Sequence, residues 1–191
     1  MKHELKKHIV TKNSNGDTRS AIQMPSYHEF KKANFQHQHD VKVVMTHIAE
    51  LIVDVGQDHD ITKTTHGPEF YRDFCMAMVD PRLNFTQLEW HKNHIQMERH
   101  HLNANCPDDV DLIDIIEMLV DCICAGKARS SNHEVYPVKI PEEVLKKALN
   151  NTFKLIEESV LVAEKKEPGE DYIHLNDRDE FIENMLDARE D

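Results

Sequence analysis

The chain has 191 residues, a formal net charge of −12, 39% hydrophobic and 30% charged residues, and only 5 Gly and 7 Pro. These values exclude a disordered chain and a turn-rich β sandwich, and the acidic balance argues against binding duplex nucleic acid through a basic surface. They predict an all-α globular protein with a chain long enough to bury a core.

The first residues, Met1-Lys2-His3-Glu4-Leu5, lack the apolar stretch of a signal peptide, and no run approaches eighteen apolar residues, so no membrane span is expected. Cys75, Cys106, Cys122 and Cys124 form no CxxC pair, which suits reduced thiols in the cytoplasm.

In chain order, residues 1–33 read as an N-terminal extension. Ile9-Val10-Thr11 and Ala21-Ile22-Gln23 flank an Asn15-Gly16 turn, the pattern of a small β hairpin. Residues 34–166 read as one helical domain. A first helix runs from about Asn34 to Gly56, with Val44, Ile48, Leu51, Ile52 and Val55 at helical spacing. A second starts near Asp58, and a third opens at Pro68 and passes Met78. Asn84 or Thr86 caps a helix to about Leu102, and Asp108 or Asp109 caps a strongly apolar helix closed by Gly126. Pro141-Glu142-Glu143 opens a long amphipathic helix to about Lys166. Residues 167–191 form an acidic tail, with a short helix from Asp177.

The 14 histidines are the compositional outlier, and many lie between Gln36 and Leu102. Histidine is the commonest metal ligand and the usual acid or base near neutral pH. In the stretch from Glu89 to His101, helical spacing puts His91, His94, Glu98 and His101 on one face, which suits a divalent metal or a phosphate; a solvated polar face gives the same pattern. In the apolar helix, Asp114, Glu117 and Asp121 share one narrow stripe among residues that otherwise read as buried. Such a stripe is either paired and metal-bound or faces water at the core's edge. His59-Asp60 offers two ligand types side by side, and His39-Asp40 is a second copy of that dipeptide. Trp90 and Met97 read as core residues.

The order His39, His59-Asp60-Ile61-Thr62-Lys63, Glu69-Phe70-Tyr71, Trp90 with His94 and His100-His101, then Glu117-Met118-Leu119-Val120-Asp121 resembles the HD superfamily of metal-dependent phosphohydrolases. It is most similar to an uncharacterised HD-like family of bacteria and phages. The resemblance covers residues 35–126. Thr62 replaces the usual Ser, and Glu98 stands where Asn is expected.

The resemblance implies an HD-like helical bundle in which His39, His59, Asp60 and Asp121 ligate a metal. His94 and His101 would hold a second ion or the substrate phosphate. Asp60, Lys63 and Glu69 are the residues expected to act in catalysis. Lys63 either meets phosphate charge or makes a structural ion pair. Glu69 either orients a ligand or is an ordinary acid at a helix start. The cofactor is one or two divalent transition ions (Mn, Co, Fe, Zn or Ni), since histidine-rich ligation disfavours magnesium alone. The implied function is hydrolysis of a nucleotide or another small phosphoester. The alternatives are an HD-type di-iron oxygenase and a non-catalytic metal, nucleotide or protein-binding module. No membrane partner is expected, and self-association is left open.

Overall fold

The structure is a computed structural model that describes residues 2–129, 135 and 137–163. It is mostly helical. The predicted acidic tail and its short helix lie outside the described residues. No helix among the described residues is long and apolar enough to cross a membrane.

The elements are β1 (His8–Val10), α1 (Tyr27–Asp58), α2 (Ile61–Thr65), α3 (Gly67–Val79), a 3-10 turn at Phe85–Gln87, α4 (Glu89–Met97), α5 (Leu112–Arg129), α6 (Glu142–Ser159) and β2 (Val160–Val162). The chain divides into two compact units, Met1–Glu4 with Ala49–Leu155, and Leu5–Ile48 with Ile156–Asp191.

In the second unit, α1 begins seven residues before the expected Asn34. Ser26 and Glu29 form a reciprocal cap: the Ser26 hydroxyl accepts from the Glu29 amide at 3.3 Å, and the Glu29 carboxylate accepts from the Ser26 amide at 2.7 Å. The predicted hairpin does not form. β1 instead pairs in parallel with β2, His8 opposite Val160 and Val10 opposite Val162. Ala21 is held by a turn, its amide donating to Asp17 O at 2.9 Å, and Ile22 is 97% exposed, so the return strand has neither backbone partners nor burial to gain. Gly16 is pressed against α1. A Cβ there would sit 3.2 Å from the Cβ of Ala33, so the turn needs the missing side chain.

In the first unit, Leu102, Val110, Ile115, Met118 and Ala148 form the buried core, flanked by Cys106, Leu112, Cys122 and Val144. Pro68 occupies the first turn of α3, as its fixed φ and missing N–H favour. The cap of α5 is Asp111, not Asp108 or Asp109. Its carboxylate accepts from the amides of Ile113 at 2.8 Å and Asp114 at 3.2 Å, while Asp114 accepts from the Asp111 amide at 2.9 Å. The helix passes Gly126 and reaches Arg129. α6 starts after Pro141 as expected but gives way to β2 at Val160, before the predicted end near Lys166.

Two expectations of burial are corrected. Met97 is 56% exposed, whereas Trp90 is buried and stacks on Phe70 at 4.1 Å. On α5, Val120 and Ile123 are half exposed, so the helix buries one side rather than nearly all of its circumference.

Candidate metal centre

The centre lies wholly in the first unit and is assembled from three places in the chain. The first is the corner between α1 and α2. Asp60 sits there at φ 56, ψ 28, a left-handed conformation that is uncommon outside glycine. Such strain persists only where surrounding contacts hold it, and it concentrates at functional sites. The second is His94 near the end of α4 together with the segment 98–101. The third is the face of α5 that carries Glu117 and Asp121.

The expected helix through Leu102 ends at Met97. His100 and His101 therefore do not share a helical face with His94; the chain leaves the helix and brings them back. The side chains of residues 98–101 reach three destinations. Glu98 turns to α2, where its Oε1 accepts from the Thr62 amide at 2.9 Å and the Thr62 hydroxyl at 2.6 Å. Arg99 turns to the start of α5, donating to Asp114 at 2.7 and 2.8 Å and to Asp109 at 2.9 Å. His100 and His101 face the centre. The acidic residue at 98 thus has a definite partner in Thr62.

Two groups of donor atoms result, each with its ligand atoms within 4.8 Å of one another: His59, His100 and Asp121, and Asp60, His94 and His101. Asp60 links them. Its Oδ1 lies 3.3 Å from His94 Nε2 and 3.7 Å from His100 Nε2, and its Oδ2 lies 3.3 Å from His59 Nε2. His59 Nε2 is also 3.4 Å from Asp121. Both groups could hold a metal ion.

The outer ring nitrogens of His59 and His94 are already engaged, which fixes the tautomers of these two rings. Glu117 Oε1 accepts from His59 Nδ1 at 2.9 Å; His100 Nδ1 is equally close, though not aligned for a hydrogen bond. His94 Nδ1 lies 2.6 Å from the Thr62 hydroxyl, whose proton goes to Glu98, so the imidazole is the donor. Trp90 stacks on the His94 ring at 4.8 Å and sets its plane. With Nδ1 protonated on His59 and His94, their Nε2 lone pairs point inward, the arrangement by which a carboxylate or hydroxyl orients metal-ligating histidines.

Several inner atoms lack partners. Asp60 Oδ1 and His100 Nε2 are buried with no hydrogen bond. His94 Nε2 faces His101 Nε2 at 2.8 Å, so two lone pairs meet unless His101 contributes a proton. Buried polar atoms left this way are costly, and a cation between them would satisfy the whole set.

Burial, and then the neighbouring His101, hold His94 down at about 4, and burial with His100 lowers His101. Burial also opposes protonation of His100, but Glu117, Asp60 and Asp121 outweigh it and raise its pKa. Burial opposes ionisation of Asp60 and Glu117; Lys63 in the first case, and His100 and His59 in the second, outweigh it and keep both carboxylates ionised. Protons and metals compete for the same nitrogen. Acidification should therefore empty the His59–His100–Asp121 position first, because His100 protonates above the ordinary histidine range. The Asp60–His94–His101 position should persist to lower pH. Equilibrium dialysis of cobalt-loaded protein against buffers of falling pH should show about one ion leaving first and the second only at lower pH. A single joint release would refute the two-step order.

Among the sequence candidates, the structure brings together His59, Asp60, His94, His101 and Asp121, with Lys63 ion-paired to Asp60. His39 lies on α1 in the other unit and belongs to neither donor group. Glu69 is exposed in the first turn of α3 and is not a member either. Two residues missing from the expected set are central here, His100 as a donor and Glu117 as the brace behind His59, its carboxylate also 2.9 Å from His100 Nδ1. Glu117 could have been found from its position one turn before Asp121. The carboxylate stripe on α5 does not face water: the side chains of Asp114, Glu117 and Asp121 are 0%, 10% and 25% exposed.

A third donor group, His3, Asp111 and Asp114, has its needs met internally. His3 pairs with Asp111 at 2.8 Å, and Asp114 is held by Arg99 and the Asp111 amide. It serves as an ion-pair network at the head of α5. No protein-family model, no curated protein and no solved structure matches the chain.

Proposed function

We propose that the protein is a metal-dependent phosphohydrolase with a dinuclear HD-type centre. His59, His100 and Asp121 would hold one ion and His94 and His101 a second, with the Asp60 carboxylate within reach of both groups. The observation that carries this reading is the convergence of Asp60 Oδ1 and His100 Nε2, buried with no hydrogen bond, with the Nε2 atoms of His59 and His94, whose outer nitrogens are braced by Glu117 and Thr62. Divalent ions would supply Lewis acidity there, acidifying water and withdrawing charge from a phosphoryl oxygen. The chain's part is to keep His94 and His101 neutral, to aim the histidine rings, and to keep Asp60 ionised. Lys63 stands beside the pair to meet phosphate charge. In the reaction, the oxygen of water bonds to phosphorus as the ester P–O bond breaks, and a proton given up by the water is balanced by the one that the departing alkoxide takes up to leave as the alcohol.

A second reading is supported by the apolar wall beside the donors: the same positions would hold two irons for oxygen chemistry. Metal analysis followed by phosphate-release assays separates the two. With manganese or cobalt bound, phosphate release from a phosphomonoester is expected. Glu117→Gln should weaken metal binding by about 10–100-fold while the helical content is unchanged. Protein that holds two ions yet releases no phosphate from any phosphomonoester would overturn the hydrolase reading.

A further inference from the structure

A cavity of about 370 Å³ opens directly onto the donor residues. That size is within the usual small-molecule range of roughly 300–1,000 Å³. One end is formed by His59, Asp60, Glu117 and Asp121. The walls are aliphatic: Ile52 and Val55 of α1, and Ile113, Ile116, Val120 and Ala125 of α5. Apart from the donors and the Cys124 thiol, no lining side chain among the described residues carries a hydrogen-bonding group, and none is aromatic or cationic. Val120 is 54% exposed and Ile116 38%, so this wall stands wetted beside the donor set.

Such a wall is poorly matched to a nucleotide. A base would bring several donors and acceptors against aliphatic walls that offer no partners, each at a desolvation cost, and among the described lining residues the sole ring is the His59 imidazole, held at the donor cluster. A di- or triphosphate would need several cationic side chains beyond the two ions, and beside the centre stands Lys63, already ion-paired to Asp60. A single phosphate on an aliphatic chain has neither problem.

We propose that the ligand of this cavity is an alkyl phosphomonoester, its phosphate at the donor cluster and its chain along the α1–α5 wall. The inference rests on the metal and phosphate reading above and narrows it from small phosphoesters in general to those with an apolar body.

Binding can be tested apart from turnover. The metal-loaded full chain is titrated calorimetrically with methyl-, butyl-, hexyl- and octylphosphonate, which cannot be hydrolysed, and with adenosine 5′-phosphorothioate. Affinity should rise by about fourfold per methylene until the wall is covered, with a negative heat-capacity change. Hexylphosphonate should bind tighter than the nucleotide analogue. Val120→Asn should flatten the gradient while metal content and methylphosphonate affinity stay unchanged, and Ala125→Phe should abolish binding of the longer chains by filling the cavity. A flat series, or tighter binding of the nucleotide analogue, overturns the inference. A flat series with the cavity closed to all phosphonates, because the chain's own residues or a second copy cover it, overturns it equally. Phosphate release from hexyl phosphate is measured separately. A steep phosphonate gradient without such release removes the hydrolase reading and leaves the ligand class standing; nucleotide hydrolysis with a flat gradient does the reverse.

Discussion

Asp60→Asn should remove both ions at once. Among the described residues Asp60 is the carboxylate that reaches both donor groups, with Oδ1 at 3.3 Å from His94 and Oδ2 at 3.3 Å from His59. Asparagine keeps the size of the side chain and tolerates the left-handed backbone that Asp60 adopts, so the corner between α1 and α2 should survive. What is lost is the charge. Elemental analysis should fall from about two ions per chain to about none, and phosphate release should drop by a factor on the order of 10³ or more, since groups that act as a unit fail together. Asp121→Asn is the contrast: it touches one donor group, and about one ion should remain. If Asp60→Asn retains both ions, the bridging geometry is wrong. If Asp121→Asn loses both, the two positions are not independent.

Asp114→Ala should produce the largest loss of stability. The Asp114 carboxylate is fully buried and receives two hydrogen bonds from Arg99, whose side chain is 14% exposed, and one from the Asp111 amide. Removing Asp114 leaves the guanidinium with only Asp109, whose side chain is 40% exposed, and breaking a buried pair in this way costs about 3–5 kcal/mol, a large part of the roughly 5–15 kcal/mol that holds a typical domain together. Urea unfolding should show this loss as a lowered midpoint, and Arg99→Ala should cost a comparable amount. In the double variant the two losses should not add, because both remove the same interaction. A loss below about 1 kcal/mol for Asp114→Ala would mean that solvent reaches Arg99 and satisfies it. The change also bears on the centre: Arg99 directly precedes His100 and His101, and its grip on α5 holds that segment in place. Asp114→Ala should therefore weaken metal binding even in the fraction that stays folded.

Much of the helical framework follows from local sequence. Pro68 and Pro141 open helices where a missing N–H and a fixed φ are tolerated, and the spacing of Val44, Ile48, Leu51 and Val55 commits that stretch to a helix. The Ser26–Glu29 cap is also local, written within four residues, but the sequence reading passed over it and began the helix at Asn34. So were the individual donor types, above all the adjacent His59 and Asp60 and the carboxylates on one face of α5.

Partners far apart in the chain were not legible. β1 pairs with β2 across some 150 residues of sequence, and nothing near Ile9 names Val160 or Leu161 as its neighbours. Helical periodicity extended α4 through His101, but Glu98 and Arg99 find partners on α2 and α5 that compensate for leaving the helix at Met97. His100 reaches the centre for that reason. Glu117 becomes the brace for His59, 58 positions earlier, only once α5 lies against the α1–α2 corner. Periodicity and caps report interactions within about a turn of the chain. Composition and local pattern therefore determined a mostly helical chain rich in metal-ligating groups. Which of those groups meet, with His100 and Glu117 included and His39 and Glu69 outside, was decided by long-range packing, because convergence of donor atoms is a property of distances that neighbouring residues do not encode.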